Sequence, residues 1–331
     1  MNITLYGAGA VGGLIGARLA ASGNDVSVIA RGRTLDAIRA HGLRLQSDDG
    51  TKAFPVEAGD DPRRFGVQDL VVLAVKATGL QEVARHIAPL LGPETIILTA
   101  MNGVPWWFFD AIEGPLAGTR LPSLDPQGVL AKAMPASQVI GCVVHLSSSC
   151  PEPGLVKPGF GNRLIVGEPA GGRSARLDKV AALLAEACFD TEASADIRSD
   201  IWYKLWGNMT MNPVSAITGA TGDRMLDDPL VRRFCLAVMQ EAADIGARIG
   251  CPITQSGEDR MEVTRKLGAF KTSMLQDAEA RRPLEIDALV TAVHDIGKLV
   301  GVATPNVDAL LGLVRLFGQS HGLYPREASF P

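Results

Sequence analysis

The string Gly7-Ala8-Gly9-Ala10-Val11-Gly12 constrains this 331-residue chain more than any other feature. An apolar run at 3–6 precedes it. A helical pattern over 11–22 follows, stopped by Gly23, and then a second apolar run at 26–29. A G-x-G-x-x-G string alone is weak evidence. In a strand–turn–helix–strand setting it predicts a dinucleotide pyrophosphate site. Gly7 permits the tight turn, Gly9 lets a phosphate approach the backbone, and Gly12 lets helix and strand pack closely. The intervening Ala8, Ala10 and Val11 complete the loop, and the helix N-terminus offers unpaired N–H groups and a positive dipole end.

The remainder of the first half continues the alternation. An uninterrupted apolar run at 70–75 reads as a strand covered on both faces. A helix is expected over 78–91, ended by Gly92-Pro93, and a strand over 95–99. Segments 43–58 and 139–167 are strand-rich and are placed at the far side of the sheet. The pattern is that of an α/β fold, an N-terminal Rossmann doubly wound sheet. The composition shifts at Pro169-Ala170-Gly171-Gly172-Arg173. Beyond it the pattern is almost entirely helical, with helices expected from Pro229 to Gly250, over 258–282, over 285–300 and over 305–317. Two domains are expected, 1–172 for the dinucleotide and 173–331 an all-α substrate and catalytic domain, as suits a chain too long for one ordinary core.

Composition excludes several classes. A formal net charge of −4 with scattered basic residues argues against nucleic acid. No apolar run reaches the ~18 residues that span a bilayer. Five cysteines, an odd number without C-x-x-C spacing, suit a reducing compartment, and five isolated histidines make no metal-ligand cluster. The N-terminus lacks signal-peptide order, so a cytoplasmic protein is expected.

Sites that prefer NAD place an acid at the end of the second strand, for the ribose 2′-OH. This chain has Ala30-Arg31-Gly32-Arg33 there. A guanidinium suits a 2′-phosphate through bidentate charge-assisted bonds, so NADP is expected, with Arg31 the main contact and Arg33 a second. Exposed surface arginines are the plain alternative. Lys76 and Asn102-Gly103 follow two further strands, at the carboxyl edge where open α/β sheets bind ligands.

A second signal runs from Ile201 to Pro213. Lys204, Asn208 and Asn212 are spaced i, i+4, i+8, one polar line on an otherwise apolar helix. Asparagine disfavours helices, so its presence there suggests pairing with something buried, either backbone or a ligand. Reduction of a ketone delivers hydride to carbon and requires a proton at oxygen. A lysine ammonium can polarise the carbonyl and then act as general acid. A third signal, Ser273-Met274-Leu275-Gln276-Asp277 with Glu285-Ile286-Asp287, includes a serine able to bond a carboxylate and an acid able to take a hydroxyl.

Together these motifs make the chain resemble the ketopantoate reductase (2-dehydropantoate 2-reductase) family over nearly its whole length. The resemblance rests on the glycine string, Lys76, Asn102-Gly103, Trp202-x-Lys204-x-x-x-Asn208-x-x-x-Asn212-Pro213, and the Ser273 and Glu285 segments. It implies a Rossmann domain and a helical domain with the active site in the cleft between them, and NADPH as hydride donor. It makes Lys204 the general acid and Asn208, Asn212 and Ser273 substrate contacts. Arg31, Lys76, Asn102 and Glu285 become cofactor-side contacts. The expected partner is a small keto acid, with a homodimer one assembly left open.

Three departures bear on the substrate. Residues 104–109 are bulkier than the biosynthetic pattern, 113–128 reads as an inserted loop, and Gly222 stands where the family carries a pocket asparagine. The leading expectation is NADPH-dependent reduction of 2-dehydropantoate to pantoate. Reduction of another small keto acid, or a sensor that binds dinucleotide without turnover, are the alternatives.

Overall fold

The computed structural model describes residues 1–325. The chain divides into two compact units. One comprises Met1–Met101, Trp106–Thr119 and Gln127–Asp200; the other comprises Asn102–Pro105, Arg120–Pro126 and Ile201 onward.

The first unit is built on one sheet. Its strands are β1 (Asn2–Tyr6), β2 (Asp25–Ile29), β3 (Leu43–Ser47), β4 (Gly50–Phe54), β5 (Glu57–Gly59), β6 (Leu70–Leu73), β7 (Ile96–Ala100), β8 (Val139–Glu152), β9 (Leu155–Gly167) and β10 (Asp190–Ser194). They lie in the order β4-β3-β9-β8-β7-β6-β1-β2-β5, with β10 beside β9. The stretch β5-β2-β1-β6-β7-β8 is wholly parallel. This is the Rossmann order, third strand to sixth with the first in the middle. The direction of winding reverses between β1 and β6, the switch point at which such sheets bind ligands. The apolar runs explain the arrangement: all four residues of β6 and all five of β7 are buried, which only a central strand can be. The β3–β4 hairpin and the long β8–β9 hairpin extend the sheet on one side, as expected for 139–167 and for most of 43–58, but the end of the latter segment pairs with β2 as β5 and forms the opposite edge.

Helices α1 (Ala10–Ala21), α2 (Gly32–His41), α3 (Leu80–His86), α4 (Val129–Ala133) and α5 (Ala175–Glu186) complete this unit. The helix expected over 78–91 is shorter, because 3₁₀ turns at Ala77–Gly79 and Ala88–Leu90 flank α3. Pro89 lacks the N–H that would continue the α-helical ladder. Two elements escape the sequence pattern. The polar helix α2 buries only Leu35 and Ile38, and β10 is a short strand with one buried residue. The sheet therefore continues past Arg173, where only helices are expected.

The second unit is helical: α6 (Ile197–Thr218, its first four residues counted with the first unit), α7 (Gly222–Asp227), α8 (Pro229–Arg248), α9 (Gly257–Arg265), α10 (Ser273–Glu279), α11 (Ala292–Val300) and α12 (Pro305–Ser320). The single helix expected over 258–282 is two. The chain breaks at Gly268, where φ is +66°, and restarts where Thr272 accepts from the Leu275 N–H. The helix expected from Glu285 opens with a π turn, Asp287–Thr291, before α11. The buried Glu241 of α8 accepts from the N–H groups of Asn306 and Val307, capping α12. Among the described residues no helix is long and apolar enough to cross a membrane.

Candidate active site

In the first unit the glycine turn follows β1 and rests against the end of β6. Gly7 adopts φ +102°, and a Cβ there would lie 2.8 Å from Val75 Cγ1. A Cβ on Gly12 would collide with the Gly7 carbonyl and lie 2.7 Å from Ala74 Cβ. Both positions exclude side chains by close packing. Gly9 differs: a Cβ there meets nothing within 4 Å, and the residue is exposed. The open space lies on the outer side of the turn, where a pyrophosphate is expected to approach. Gly9 caps α1 without a side-chain hydrogen bond, so the first N–H groups of the helix receive no side-chain cap. These features fit a dinucleotide phosphate.

Arg31 lies two residues beyond the end of β2 and caps the start of α2. Its guanidinium is already engaged: Nη1 donates to Glu82 Oε2 at 2.8 Å and Nη2 lies 2.7 Å from Glu82 Oε1. This hydrogen-bonded pair raises the Arg31 pKa and lowers that of Glu82. Both charges also act on the Tyr6 phenol at the end of β1, which burial pushes above its ordinary range. The pair therefore sits at the carboxyl edge of the sheet near the glycine turn. Glu82, on α3, is a residue the sequence reading missed; its distance in sequence from Arg31 left no signal. Lys76, half-buried, starts the 3₁₀ turn after β6 and shares this edge.

In the second unit α6 is held in one rotational setting. Trp202 Nε1 donates to the Ala242 carbonyl at 3.1 Å and Trp206 Nε1 to that of Met239 at 2.7 Å, both on α8. Gly246 makes room for the Trp202 ring, since a Cβ there would overlap the indole. With the indoles buried, four consecutive-row positions between Ile201 and Ala216 remain half-open: Tyr203, Lys204, Gly207 and Asn208. Lys204 Nζ donates to Asn102 Oδ1 at 2.7 Å. The Asn208 amide makes no hydrogen bond to the described residues. Asn212, one turn on, is buried and donates to Ser273 Oγ at 3.3 Å. The structure thus joins Lys204 to Asn102 and Asn212 to Ser273. Pro213 does not end the helix, which continues to Thr218.

The loop carrying Asn102 is fixed by its neighbour. Gly103 adopts φ +85°, and a Cβ there would be 2.5 Å from the Ala288 carbonyl oxygen. Val104 N–H donates to that same carbonyl at 2.9 Å. Ala288 lies in the π turn, a widened geometry common at functional sites. Glu285 immediately precedes this helix, half-buried between buried Leu284 and Ile286. At Gly222, where the family pattern carries an asparagine, the Phe270 ring fills the space: any Cβ would overlap it, and Gly222 N–H donates to the Phe270 carbonyl at 3.0 Å. An aromatic face from three residues before Ser273 therefore replaces a polar amide.

A Rossmann sheet with an open glycine turn, followed by a helical unit carrying a lysine and asparagine strip, defines a dinucleotide-dependent oxidoreductase. Comparison with known proteins narrows the class. Family models described as "Ketopantoate reductase PanE/ApbA" and "Ketopantoate reductase PanE/ApbA C terminal" match residues 3–171 and 196–318. A 2-dehydropantoate 2-reductase of Mesorhizobium japonicum is 44% identical, covering 98% of this chain and 100% of the relative. A crystal structure from Ralstonia solanacearum MolK2, of a chain classed as a ketopantoate reductase, superposes with a TM-score of 0.95 at 60% identity, over 98% of this chain and 99% of that one. D-mandelate dehydrogenase, solved with NADH and anilino(oxo)acetate, shares the fold at TM-score 0.83 and 23% identity, over 97% of this chain and 100% of that one. The chain belongs to the ketopantoate reductase family.

Proposed function

We propose that this protein reduces the ketone of a small 2-oxo acid to the 2-hydroxy acid with NADPH, and that 2-dehydropantoate is its substrate and pantoate its product. The observation that carries the reading is the Lys204–Asn102 hydrogen bond on the half-open strip of α6. It supports a lysine head group held at a fixed place on that strip, from which an ammonium can polarise a carbonyl oxygen. When bound, the nicotinamide supplies hydride to the carbonyl carbon. Lys204 polarises the carbonyl and gives a proton to its oxygen as negative charge develops, then recovers a proton from solvent. Asn208, whose amide is open, and Asn212 with Ser273 bind the hydroxyl groups of the substrate without adding charge.

Gly7, Ala8, Gly9, Ala10, Val11 and Gly12 hold the pyrophosphate; Lys76, Asn102 and Glu285 act on the cofactor side. For the ribose, two residues compete. Arg31 favours a 2′-phosphate, while Glu82 is the type of acid that takes a 2′-OH in NAD sites. Their ion pair is exposed, and such pairs are weak. A phosphate with nearly two charges and three acceptor oxygens displaces a single carboxylate, which supports NADPH. The functional division follows the expected boundary at 172/173, with dinucleotide binding mainly before it and substrate chemistry mainly after it, Glu285 being the cofactor-side contact beyond it.

The test is NADPH oxidation with a panel of 2-oxo acids. Preference for 2-dehydropantoate supports the reading; preference for a larger or aromatic keto acid moves the substrate toward what Phe270 in place of an amide would suit. No turnover of any keto acid would overturn it.

A further inference from the structure

The strip of α6 that bears Lys204 and Asn208 has a second row, Tyr203 and Gly207, and that row is covered by one cation. Arg260 of α9 lies with its guanidinium carbon 4.9 Å from the centre of the Tyr203 ring. Its Nη1 donates to the Tyr203 hydroxyl at 3.4 Å, and that hydroxyl donates in turn to Gln255 Oε1 at 2.5 Å. The guanidinium rests directly over Gly207: a Cβ at this position would be 3.2 Å from Nη2 and 3.3 Å from Nε. Nε is buried there without a hydrogen-bond partner. The seat is costly, because a buried donor left unsatisfied loses its hydration.

The charge is also unmatched. Other arginines around α9 are paired, Arg232 with Glu258 and Glu262, and Arg265 with Asp227 and Glu262. Asp259 accepts from Ser256 Oγ. The acids of α9 are thus all engaged elsewhere, and among the described residues no carboxylate lies within ion-pair distance of Arg260. The guanidinium is stacked on an aromatic ring and lacks an acid, and its Nη2, neither bonded nor buried, can donate to a carboxylate. Residues three apart on a helix have Cβ atoms about 5–6 Å apart, so a cation over Gly207 and the Lys204 ammonium can serve neighbouring groups of one small molecule.

We propose that Arg260 binds the carboxylate of the 2-oxo acid while Lys204 serves its ketone. This rests on the reductase reading and adds to it the residue that selects acids over neutral ketones. Tyr203 and Gly207 act as positioning residues: one stacks under the guanidinium, the other leaves it room.

The test compares wild type, Arg260→Gln and Arg260→Lys on 2-dehydropantoate and on its uncharged primary amide, with NADPH. It also measures pantoate binding by calorimetry in the presence of NADP. Loss of a charged hydrogen-bonded contact predicts a KM for the acid raised about 10- to 100-fold in Arg260→Gln, with kcat little changed. The KM for the amide stays constant, Arg260→Lys recovers part of the loss, and pantoate binding weakens in parallel. An unchanged KM for the acid, or an equal rise for acid and amide, overturns the assignment. If wild type reduces neither compound yet binds pantoate in an Arg260-dependent way, the reductase reading fails and the carboxylate site stands. Absence of both turnover and pantoate binding overturns both.

Discussion

If Asn102 holds the Lys204 ammonium in place, removing it has a calculable cost. The bond is 2.7 Å long and charge-assisted, and both groups lie in the second unit. Hydrogen bonds to charged groups contribute roughly 1.5–3 kcal/mol, which bounds what this bond adds to holding the ammonium in position. At about 1.4 kcal/mol per factor of ten, Asn102→Ala lowers kcat/KM by about 10- to 100-fold, the half-open setting favouring the lower part of that range. Lys204→Ala alone removes the general acid and costs about 10²- to 10⁴-fold. The decisive comparison is the double variant. If Asn102 acts through Lys204, Asn102→Ala in the Lys204→Ala background changes the rate less than about twofold, because there is no ammonium left to position. Steady-state kinetics on the four proteins, with NADPH and ketoacid varied separately, supplies the data. Losses that multiply would refute the positioning argument. If the residual loss then lies in the KM for NADPH, Asn102 acts on the cofactor directly.

Other outcomes follow from single contacts. Arg31→Asp should weaken NADPH binding far more than NADH binding, whereas Glu82→Gln frees Arg31 and should tighten NADPH while leaving NADH equal or weaker; fluorescence titration reads both, and equal effects on the two cofactors would remove the pair from the 2′ position. Gly12→Ala places a methyl against the Gly7 carbonyl and Ala74, so it should cost about 1–3 kcal/mol in stability and abolish cofactor binding, as thermal unfolding with and without NADPH will show. Burial pushes the Glu168 carboxyl up, but hydrogen bonds from Arg176 and Ser174 outweigh it and hold it below the usual range. A depressed folded value means stability that is present above the usual carboxylate range and lost as pH falls through the folded value; Glu168→Gln should therefore lower stability by about 1–3 kcal/mol at neutral pH and flatten the acid limb of a Tm-versus-pH curve, and an unchanged limb would contradict this.

The parts legible in the sequence were those in which one local pattern dictates one structure. Buried runs at β6 and β7, the glycine turn and the Pro229 start of α8 each carry their own signal. The polar line on α6 was legible because asparagine in an apolar helix is out of place. What escaped depends on partners distant in the chain. Helix α2 is largely polar and buries only Leu35 and Ile38, too few apolar residues to announce a packed helix, and the π turn at Asp287–Thr291 has no local signature. Gly103 gave no hint that its freedom serves an approach to Ala288, 185 positions away by number. Nothing local in the sequence sets Arg260 or Glu82 apart from other charged helix residues. Only folding places one over Gly207 and the other on Arg31.

The central claim is that this chain reduces a 2-oxo acid with Lys204 as proton donor. Its most direct test is the rate of NADPH oxidation with 2-dehydropantoate, measured for wild type and Lys204→Ala. Robust turnover is expected in the first and a loss of about 100-fold or more in the second, with the fold and NADPH binding intact. Equal rates in the two proteins would contradict it.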